Sequence, residues 1–541
     1  DWSSDVCSSD LLLKVKMLFG YANFKHCYMK KLLSFLTILF IVPLSLLAQN
    51  KTIKGKVTDE VSAPVRLAGQ LLTMVKRASI NYSENYNSRL PGYTDSTRYL
   101  GQNWNSMQPG LGYVFGKQPD TAWLNKKAQE GVITRDSLFS QLFTQNFQQQ
   151  LTITAQLEPI RELTIDLNLQ KTFSKTYSEL FKDTTNSGQD LQHLSPLATG
   201  GFNVSFISFK TLFEKVSSNE VSGTFTKFEN NRITIANKLA ESNPYWQQLP
   251  DNEKFQTDGF PTGYGRYSQD VLIPAFIAAY TGKAPLSAPL IAQQNPTIKT
   301  NPFKSIKALP NWRLTYTGLS RLPGLSDVFS NVTITHAYTG SLSMNSFNSA
   351  LLYTDPFRLG APAFINPQSG NYEPFFLVPN ITIQEQFSPL IGIDVTTNNQ
   401  ASLRFEYAKS RQLSLSMFDF QLAEVRSTSF TFGGTFRKRG VILPFKIPFV
   451  KPDPEQTDLG ISLDFALRDD VQSNSRLDQP NAYGTGGQKV ITISPAVDYV
   501  VNARVNLRLY FDQQRTIPYI STSAPITNTR AGLQIRISLA Q

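Results

Sequence analysis

The segment Ala503–Asp512 (ARVNLRLYFD) decides the fold, because its side chains alternate strictly between two chemical kinds. One phase is aliphatic or aromatic, and the other consists of Arg504, Asn506, Arg508, Tyr510 and Asp512. Successive side chains of a β-strand point to opposite faces of the sheet. The segment therefore predicts a strand with one apolar face and one polar face, and Ala531–Ile537 repeats the pattern.

Other parts of the chain show the same alternation. Six seven-residue segments alternate perfectly, which is about twice the number expected by chance for a chain with 41% apolar residues. They are Leu151–Leu157, Leu163–Leu169, Ala401–Tyr407, Leu459–Phe465, Ala503–Leu509 and Ala531–Ile537. We therefore predict an all-β protein built on an antiparallel sheet.

Two architectures fit strands of this kind. A soluble β-sandwich has a wet outer face and a dry inner face, whereas an outer-membrane barrel turns its apolar side chains to lipid and its polar ones to the lumen. Leu459–Leu467 and Ala503–Phe511 approach the nine to eleven residues that a tilted membrane strand needs. Aromatic residues lie towards predicted strand ends, as in an interfacial belt, at Trp312, Tyr316, Phe405, Tyr407, Tyr499 and Phe511. We predict an antiparallel transmembrane β-barrel segment, part of a large barrel, with long and partly helical loops.

Two long stretches interrupt the strand pattern. Residues 211–310 are rich in Asn, Pro and Gln and contain a helix-like run at 271–280. Outer-membrane barrels place such insertions in external loops more often than in periplasmic turns, and the sequence leaves the side open. Residues 437–458 form a second, shorter insertion. Before the strands, 121–131 predicts a helix capped by its threonine, and 138–147 has apolar residues at helical spacing.

The amino-terminal region divides into three segments ahead of the body, residues 61–541. Residues 1–28 fit no targeting pattern, and their first part (DWSSDVCSSDL) resembles a translated adaptor scar. Residues 29–48 have the charged, apolar and small-residue order of a secretory signal peptide. Residues 49–60 contain KTIKGKVTDE, which resembles the first strand of the carboxypeptidase-regulatory-like domain that opens many TonB-dependent receptors.

Composition and charge argue against several classes of function. The formal charge is +11, but the basic residues are dispersed, so we expect no nucleic-acid partner. Cys7, Cys27 and His26 precede the expected signal cleavage, and His193 and His336 are far apart in the sequence. We therefore expect neither a disulfide nor a metal site.

No familiar catalytic motif is present. Gly484–Lys489 lacks the spacing of a phosphate loop and is interpreted as a strand-joining turn. We interpret His193 as a solvated loop residue and His336 as a packed or interfacial ring. Asp469 and Asp470 are interpreted as turn residues at a strand end. We predict no catalytic, cofactor-binding or metal-binding residue, no cofactor and no enzyme activity.

From Leu72 to the carboxyl end, short motifs follow one another in a fixed order. They are SINYSEN (79–85), LPGY (90–93), PGLGYVFG (109–116), FQQQL (147–151), SQDVLIPAF (268–276), PNWRLTY (310–316) and RKRG (437–440). This series resembles the carboxyl-terminal part of the SprA family, outer-membrane translocon proteins of type IX secretion and gliding motility. The resemblance extends over about 470 of the 541 residues.

The resemblance implies a wide outer-membrane barrel at the surface of a Gram-negative bacterium, with a lateral opening, that passes folded cargo. Implied partners are outer-membrane lipid, secreted protein cargo, a small shuttle barrel and a periplasmic plug protein. We expect a hydrated lumen, because burying charges without water costs several kcal/mol each, and its lining would include Arg404, Glu406, Asp464, Arg468, Arg504 and Arg508. Most amino-terminal strands of the family are missing, so we predict that the isolated chain exposes two strand edges and fails to insert stably.

Two other functions stay open at this point. The leader favours a TonB-dependent outer-membrane nutrient receptor, but only ten residues fit where such a receptor has a plug domain of over a hundred. A secreted, soluble β-rich adhesin would instead require the alternating strands to pack into a dry sandwich.

Overall fold

The computed structural model describes residues 74–184, 191–214, 222–294, 297–442, 444, 452, 454–455, 457–479, 483–520 and 522–538. The segments expected at 1–28, 29–48 and 49–60 lie outside the described residues, as does much of the second insertion at 437–458. The elements below belong to one compact unit, residues 75–541.

Antiparallel β-structure dominates this unit. The strands are β1 Val75–Arg89, β2 Phe143–Ile160, β3 Leu163–Asp183, β4 Leu191–Ser205, β5 Asn311–Tyr316, β6 Phe329–Ser349, β7 Ile365–Asn366, β8 Asn371–Tyr372, β9 Phe376–Leu377, β10 Asn380–Thr397, β11 Ala401–Ser416, β12 Gln421–Arg439, β13 Asp458–Arg476, β14 Tyr483–Asn502, β15 Val505–Pro518 and β16 Ile526–Ile537. The α-helices are α1 Leu111–Val114, α2 Thr121–Gln129, α3 Gly223–Ser242, α4 Pro244–Gln247 and α5 Gln269–Thr281.

Fourteen of the strands form one sheet, and β7 and β8 pair separately. The order is β1-β2-β3-β4-β6-β10-β11-β12-β13-β14-β15-β16, with β5 between β3 and β6 and β9 beside β6. Within the described residues, β1 and β16 each pair on one side only. All six alternating segments lie in or at the start of strands of this sheet, so the predicted all-β antiparallel fold is confirmed. The strands are longer than predicted, reaching 21 residues in β3 and β6.

The large insertion interrupts a strand instead of joining two neighbours. β4 pairs with the carboxyl-terminal part of β3, and β5 pairs with its amino-terminal part. Both run antiparallel to β3, so β4 and β5 together occupy one strand position. The chain leaves this position after Ser205 and returns at Asn311, and Leu309 N donates a hydrogen bond of 3.0 Å to Ser205 O. The segment predicted as an insertion at 211–310 therefore lies within one strand position and is not a loop between hairpin strands.

Inside the insertion, the helix α5 forms the centre of the main hydrophobic core. Every residue of α5 after the first is buried, as expected for a helix that is apolar on all sides. The predicted helical run at 271–280 is thus confirmed. α3 packs beside α5 through Phe228, which contacts the ring of Phe276 edge-on. The sequence analysis missed α3, because its apolar face is narrow and interrupted by Asn and Thr, which have low helix propensity.

Two local predictions before the sheet need correction. The helix α2 begins at Thr121 as predicted, but its cap is Asp120, whose carboxylate accepts a hydrogen bond of 2.8 Å from Trp123 N. The helical spacing at 138–147 does not form a helix, since Phe143 and Phe147 lie in β2. They bury their rings on one face of that strand, four residues apart, a spacing that fits both a helix and a strand.

None of the helices in the described part of the chain is both long and apolar enough to cross a membrane.

Candidate membrane interface and polar face

Cross-strand register assigns every strand residue to one of two faces of the sheet. We call the side that carries Arg404, Asp464 and Arg508 the polar face. The other side carries Leu403, Leu463 and Leu509, and we call it the mixed face. Continuous pairing from β10 to β16 keeps each residue on its face, because directly opposed residues point the same way.

Five of the six residues predicted to line the lumen share the polar face: Arg404, Glu406, Asp464, Arg468 and Arg508. Arg504 does not, because it lies in the exposed turn between β14 and β15. The Asn502 side chain accepts hydrogen bonds of 3.0 Å from the backbone N–H groups of Arg504 and Val505. Such an Asx turn ends the alternation before the strand begins.

Arginine and carboxylate side chains on the polar face form ion pairs with one another. Arg404 Nη2 lies 2.7 Å from Glu406 Oε2, and its Nε lies 3.8 Å from Asp394 Oδ1 on the neighbouring strand. Arg508 Nε lies 3.8 Å from Asp498 Oδ1 across the β14–β15 pair. These side chains are about half exposed, so the pairs contribute little stability and keep the surface hydrated.

The polar face is hollowed where β1, β2, β3, β5, β6 and β10 lie side by side. A depression of about 540 Å³ is bounded there by polar side chains of all six strands. Arg77, Asp166, Arg313 and Thr339 are among them. By their register, the polar side chains that bound this depression lie on the polar face.

The mixed face has a continuous apolar band at one end of the strands. In β13 the band runs from Leu459 to Leu467 through every second residue, and in β15 from Val505 to Phe511. Most of the band is uncovered, with 39% of Leu463, 56% of Leu509 and 57% of Ile535 exposed, whereas Val505 at its edge is buried beside Tyr499 and Val501. An exposed apolar surface that crosses this many strands marks a contact with lipid or with another protein.

The band runs obliquely across the strands. The centre of the band is at Ile80 in β1 and between Leu533 and Ile535 in β16. We followed the paired residues from Ile80 across the eleven steps from β1 to β16. The centre in β16 lies about eleven residues along the strand from the position that pairing reaches. With about 4.8 Å between strands and about 3.4 Å per residue, a drift of about one residue per strand gives a tilt of about 35°. Strands of transmembrane barrels tilt by about 35–45°.

The height of the band fits the same geometry. From Leu459 to Leu467 it measures about 27 Å along β13 at about 3.4 Å per residue. A tilt of about 35° reduces this to about 22 Å across the band, near the apolar height of about 25 Å typical of outer-membrane proteins. Aromatic rings reinforce it, since Phe405, Phe430 and Phe465 contact one another edge-on across three strands.

The other end of the mixed face is covered by the insertion, and we call it the covered zone. There Arg411 is 1% exposed and pairs with Glu385, and its Nη1 lies 4.0 Å from Glu424 Oε1. The insertion joins this network, because Ser208 Oγ donates a hydrogen bond of 2.7 Å to Glu385 and the guanidinium lies 5.6 Å from the centre of the Tyr280 ring. The ion pairs themselves join β10, β11 and β12, and the hydrogen bond from Ser208 and the ring of Tyr280 connect them to the insertion.

Sequence analysis missed this network. Arg411 occupies the same phase of β11 as the buried Leu413 and Leu415. A charged residue in the apolar phase of a strand is the signal that could have revealed it, because a buried charge needs a partner. The partner residues come from β10, β12 and the insertion, and sequence spacing does not bring these together.

Both histidines of the described residues are packed. His336 is half-buried, its Nδ1 lies 2.7 Å from Leu390 O and its ring contacts Phe387, as predicted. The prediction for His193 is wrong, because it lies in β4 with Nδ1 2.8 Å from Glu179 Oε2 and Nε2 3.0 Å from Asn125 Oδ1. Asn125 belongs to α2, so the ring connects that helix to the sheet and is not a solvated loop residue.

Two predicted turns are also wrong. Gly484–Lys489 lies within β14, where its backbone pairs with β13. Asp469 and Asp470 lie inside β13, where Asp470 accepts a hydrogen bond from Ser427 of β12 and forms an ion pair with Arg468. The polar and small residues were interpreted as turns because each strand was assumed to end where its apolar residues end. Both strands continue beyond the apolar band.

The described residues contain no group of three or more His, Cys, Asp or Glu side chains that could hold a metal ion. Neither a scan against protein families nor a search of curated proteins finds a match for this sequence.

Proposed function

We propose that the sheet is part of the wall of an outer-membrane barrel that conducts proteins, as the resemblance to the SprA family implies. In this proposal the apolar band lies in the hydrocarbon of the outer membrane, and the polar face lines a water-filled lumen through which folded cargo passes. The observation that carries the proposal is the oblique band, whose tilt and height both agree with a membrane barrel.

The two faces support this orientation independently. Lipid offers no hydrogen bonds, so a membrane strand must keep charged side chains off its lipid side. Within the band, the mixed face from β13 to β16 carries only apolar, aromatic or small residues, with the phenol of Tyr499 at its edge, while the polar face carries Asp464 and Arg508 at the same height. A sandwich with two dry inner faces is not favoured, because the main sheet has no second sheet of comparable size among the described residues.

A wide conduit requires more strands than this sheet provides. Twelve strand positions closed on themselves at a tilt of about 35° would give a barrel only about 22 Å across. Within the described residues, β1 and β16 each have one unpaired edge. We therefore propose that the sheet is one arc of a larger wall and that other strands complete both edges. The partners would be secreted cargo, a small shuttle barrel and a periplasmic plug.

Cysteine labelling of neighbouring residues tests the orientation. In a chain with Cys7 and Cys27 replaced by serine, cysteines at Arg508 and Asp464 should react with a membrane-impermeant maleimide from the water side. Cysteines at the adjacent Leu509 and Leu463 should stay unlabelled in intact outer membranes. Equal labelling of both members of each pair would contradict the membrane assignment.

Photo-crosslinking at the same positions tests conduction. A photoreactive residue at Arg508 should form adducts with proteins that a chase later finds in the medium, whereas one at Leu509 should not. Adducts with small nutrients, but with no protein in transit, would favour a nutrient receptor. Recovery of the whole chain from the medium would favour a secreted adhesin.

A further inference from the structure

We propose that the insertion contains a binding pocket for a small organic ammonium ion, with the carboxylate of Asp270 as its counter-ion. The pocket lies between α3, α5 and the segments 290–294 and 360–362, away from the apolar band. Its existence does not depend on the membrane assignment, because every wall belongs to the insertion or to the loop that packs against it.

The pocket has the dimensions and lining of a ligand site. Its volume is about 350 Å³, within the range of roughly 300–1,000 Å³ for small-molecule pockets. Leu239, Leu290 and Ile291 provide apolar walls, and Tyr264 and Asn243 provide a hydroxyl and an amide. Such a lining suits a short apolar body with one polar end.

Asp270 is the exceptional member of the lining. It lies in the first turn of α5 and is 5% exposed. Its Oδ2 accepts a hydrogen bond of 3.0 Å from Gln293 Nε2, but its buried Oδ1 has no hydrogen-bond partner. A buried carboxylate oxygen without a donor costs free energy, so the site is incomplete without a donor from outside.

The charges around Asp270 favour a cation. No lysine, arginine or histidine nitrogen of the described residues lies within 4.0 Å of it, and Lys304 is an exposed member of the lining. Its charge reaches the phenols of Tyr264 and Tyr353, whose pKa it raises, so both phenols are neutral near pH 7. Burial raises the pKa of Asp270 to about 7. A bound ammonium would favour the ionised carboxylate and displace its proton.

One carboxylate does not suit a divalent metal, which takes several charged oxygen ligands. An ammonium group needs one carboxylate and neutral acceptors, and the phenol oxygen of Tyr264 and nearby backbone carbonyls are of that kind. The apolar walls add the second requirement, a short hydrocarbon chain. The class of ligand is therefore a small alkylammonium compound or the amine of a larger molecule.

Calorimetry with n-butylammonium chloride tests the site, with n-butanol as the uncharged control of similar size. The full chain in detergent micelles should bind butylammonium at least tenfold more tightly than butanol. Titrations at about pH 6 in two buffers of different ionisation enthalpy should show release of close to one proton per ligand, falling towards zero at about pH 8.5. Equal binding of the two probes, or binding without proton release at the lower pH, would overturn the proposal.

Matched variants locate the site. Asp270→Asn should lose butylammonium binding and proton release, whereas Asp251→Asn, an exposed carboxylate of the same insertion, should change neither. Ala361→Leu should block binding by filling the pocket while the Asp270 carboxylate stays in place. This second variant still tests the site if Asp270→Asn fails to fold. Binding retained by both Asp270→Asn and Ala361→Leu would place the ligand elsewhere and refute the assignment.

Discussion

The two ends of the mixed face belong to the same strands, but one end presents apolar side chains and the other presents charged ones. At the uncovered end the side chains are apolar and exposed, as at Leu463 and Leu509. At the covered end, charged side chains such as Arg411 and Glu385 are completely buried beneath the insertion. Alternation in the sequence therefore reveals which residues share a face of the sheet. Whether those residues must be apolar, or charged and paired, depends on what packs against that face.

The largest expected effect comes from removing a charge in the covered zone. Arg411→Met would leave Glu385 buried without its cation, while Glu424 would keep its ion pair with Arg426, and breaking a buried pair in this way costs about 3–5 kcal/mol. The free energy of unfolding, measured by denaturant titration in micelles, should fall by that amount. Arg404→Met on the polar face removes an exposed arginine and should cost less than about 1 kcal/mol. Equal losses would mean that the insertion does not shield the covered zone from water.

The second effect depends on pH and concerns the interior of the insertion. The folded-state pKa of Asp270 is about 7, above its ordinary value, so the protonated form favours folding. Its contribution to stability is complete below about pH 4 and is lost as the pH rises to about 7, with a total near 4 kcal/mol at about 1.36 kcal/mol per pKa unit. Asp270→Asn should therefore gain stability relative to the unmodified chain over this range.

Denaturant titrations of both chains at several pH values measure that gain. Asp251→Asn, on the surface of the same insertion, should show the same pH dependence as the unmodified chain from about pH 4 to 8, because Lys254 lowers the pKa of Asp251 and keeps this carboxylate ionised there. A constant difference between Asp270→Asn and the unmodified chain from about pH 4 to 8 would show that the carboxylate is not desolvated in the folded state.

A third prediction concerns the uncovered band. Leu463 lies at the middle of the band in β13, and Leu463→Arg should destabilise the chain in a bilayer by about 2–4 kcal/mol, because arginine is costly at the membrane midplane. Ser462→Arg places the same charge one residue away on the polar face and should cost close to nothing. The fraction of folded chain recovered from vesicles over a denaturant series measures both. Similar costs would mean that lipid does not contact the band.

Local periodicity is sufficient to predict the sheet and its two faces. All three lumen-lining residues Arg404, Asp464 and Arg508 belong to the polar phase of an alternating segment, and the register places them on one face. The errors lie where a local signal has two meanings. Asn502 ends a strand through its own side-chain hydrogen bonds, which strict alternation conceals.

The covered zone and the pocket could not be predicted in this way. Arg411 is paired by residues 26 positions before it and 13 after it, and Asp270 is enclosed by segments up to about 90 residues away. Periodicity extends over only a few residues, so it carries no information about which distant segment covers a strand. The obliquity of the band likewise appears only when strand pairing is known.

The smallest expected effect on stability comes from comparing a glycine of the covered zone with a glycine of the apolar band. The insertion leaves β4 at Phe206 and passes directly over Gly340 of β6, where an added Cβ would lie 2.2 Å from Phe206 O. Gly340→Ala must displace this crossing and should cost about 1–3 kcal/mol, as overpacking does. Gly434 lies on the same face within the band, where the nearest atom to an added Cβ is Leu403 Cδ2 at 3.4 Å, so Gly434→Ala should be almost neutral. Loss of stability and faster proteolysis of the insertion in Gly340→Ala alone would establish that the covering segment rests on this point, whereas matching behaviour of the two variants would show that it does not.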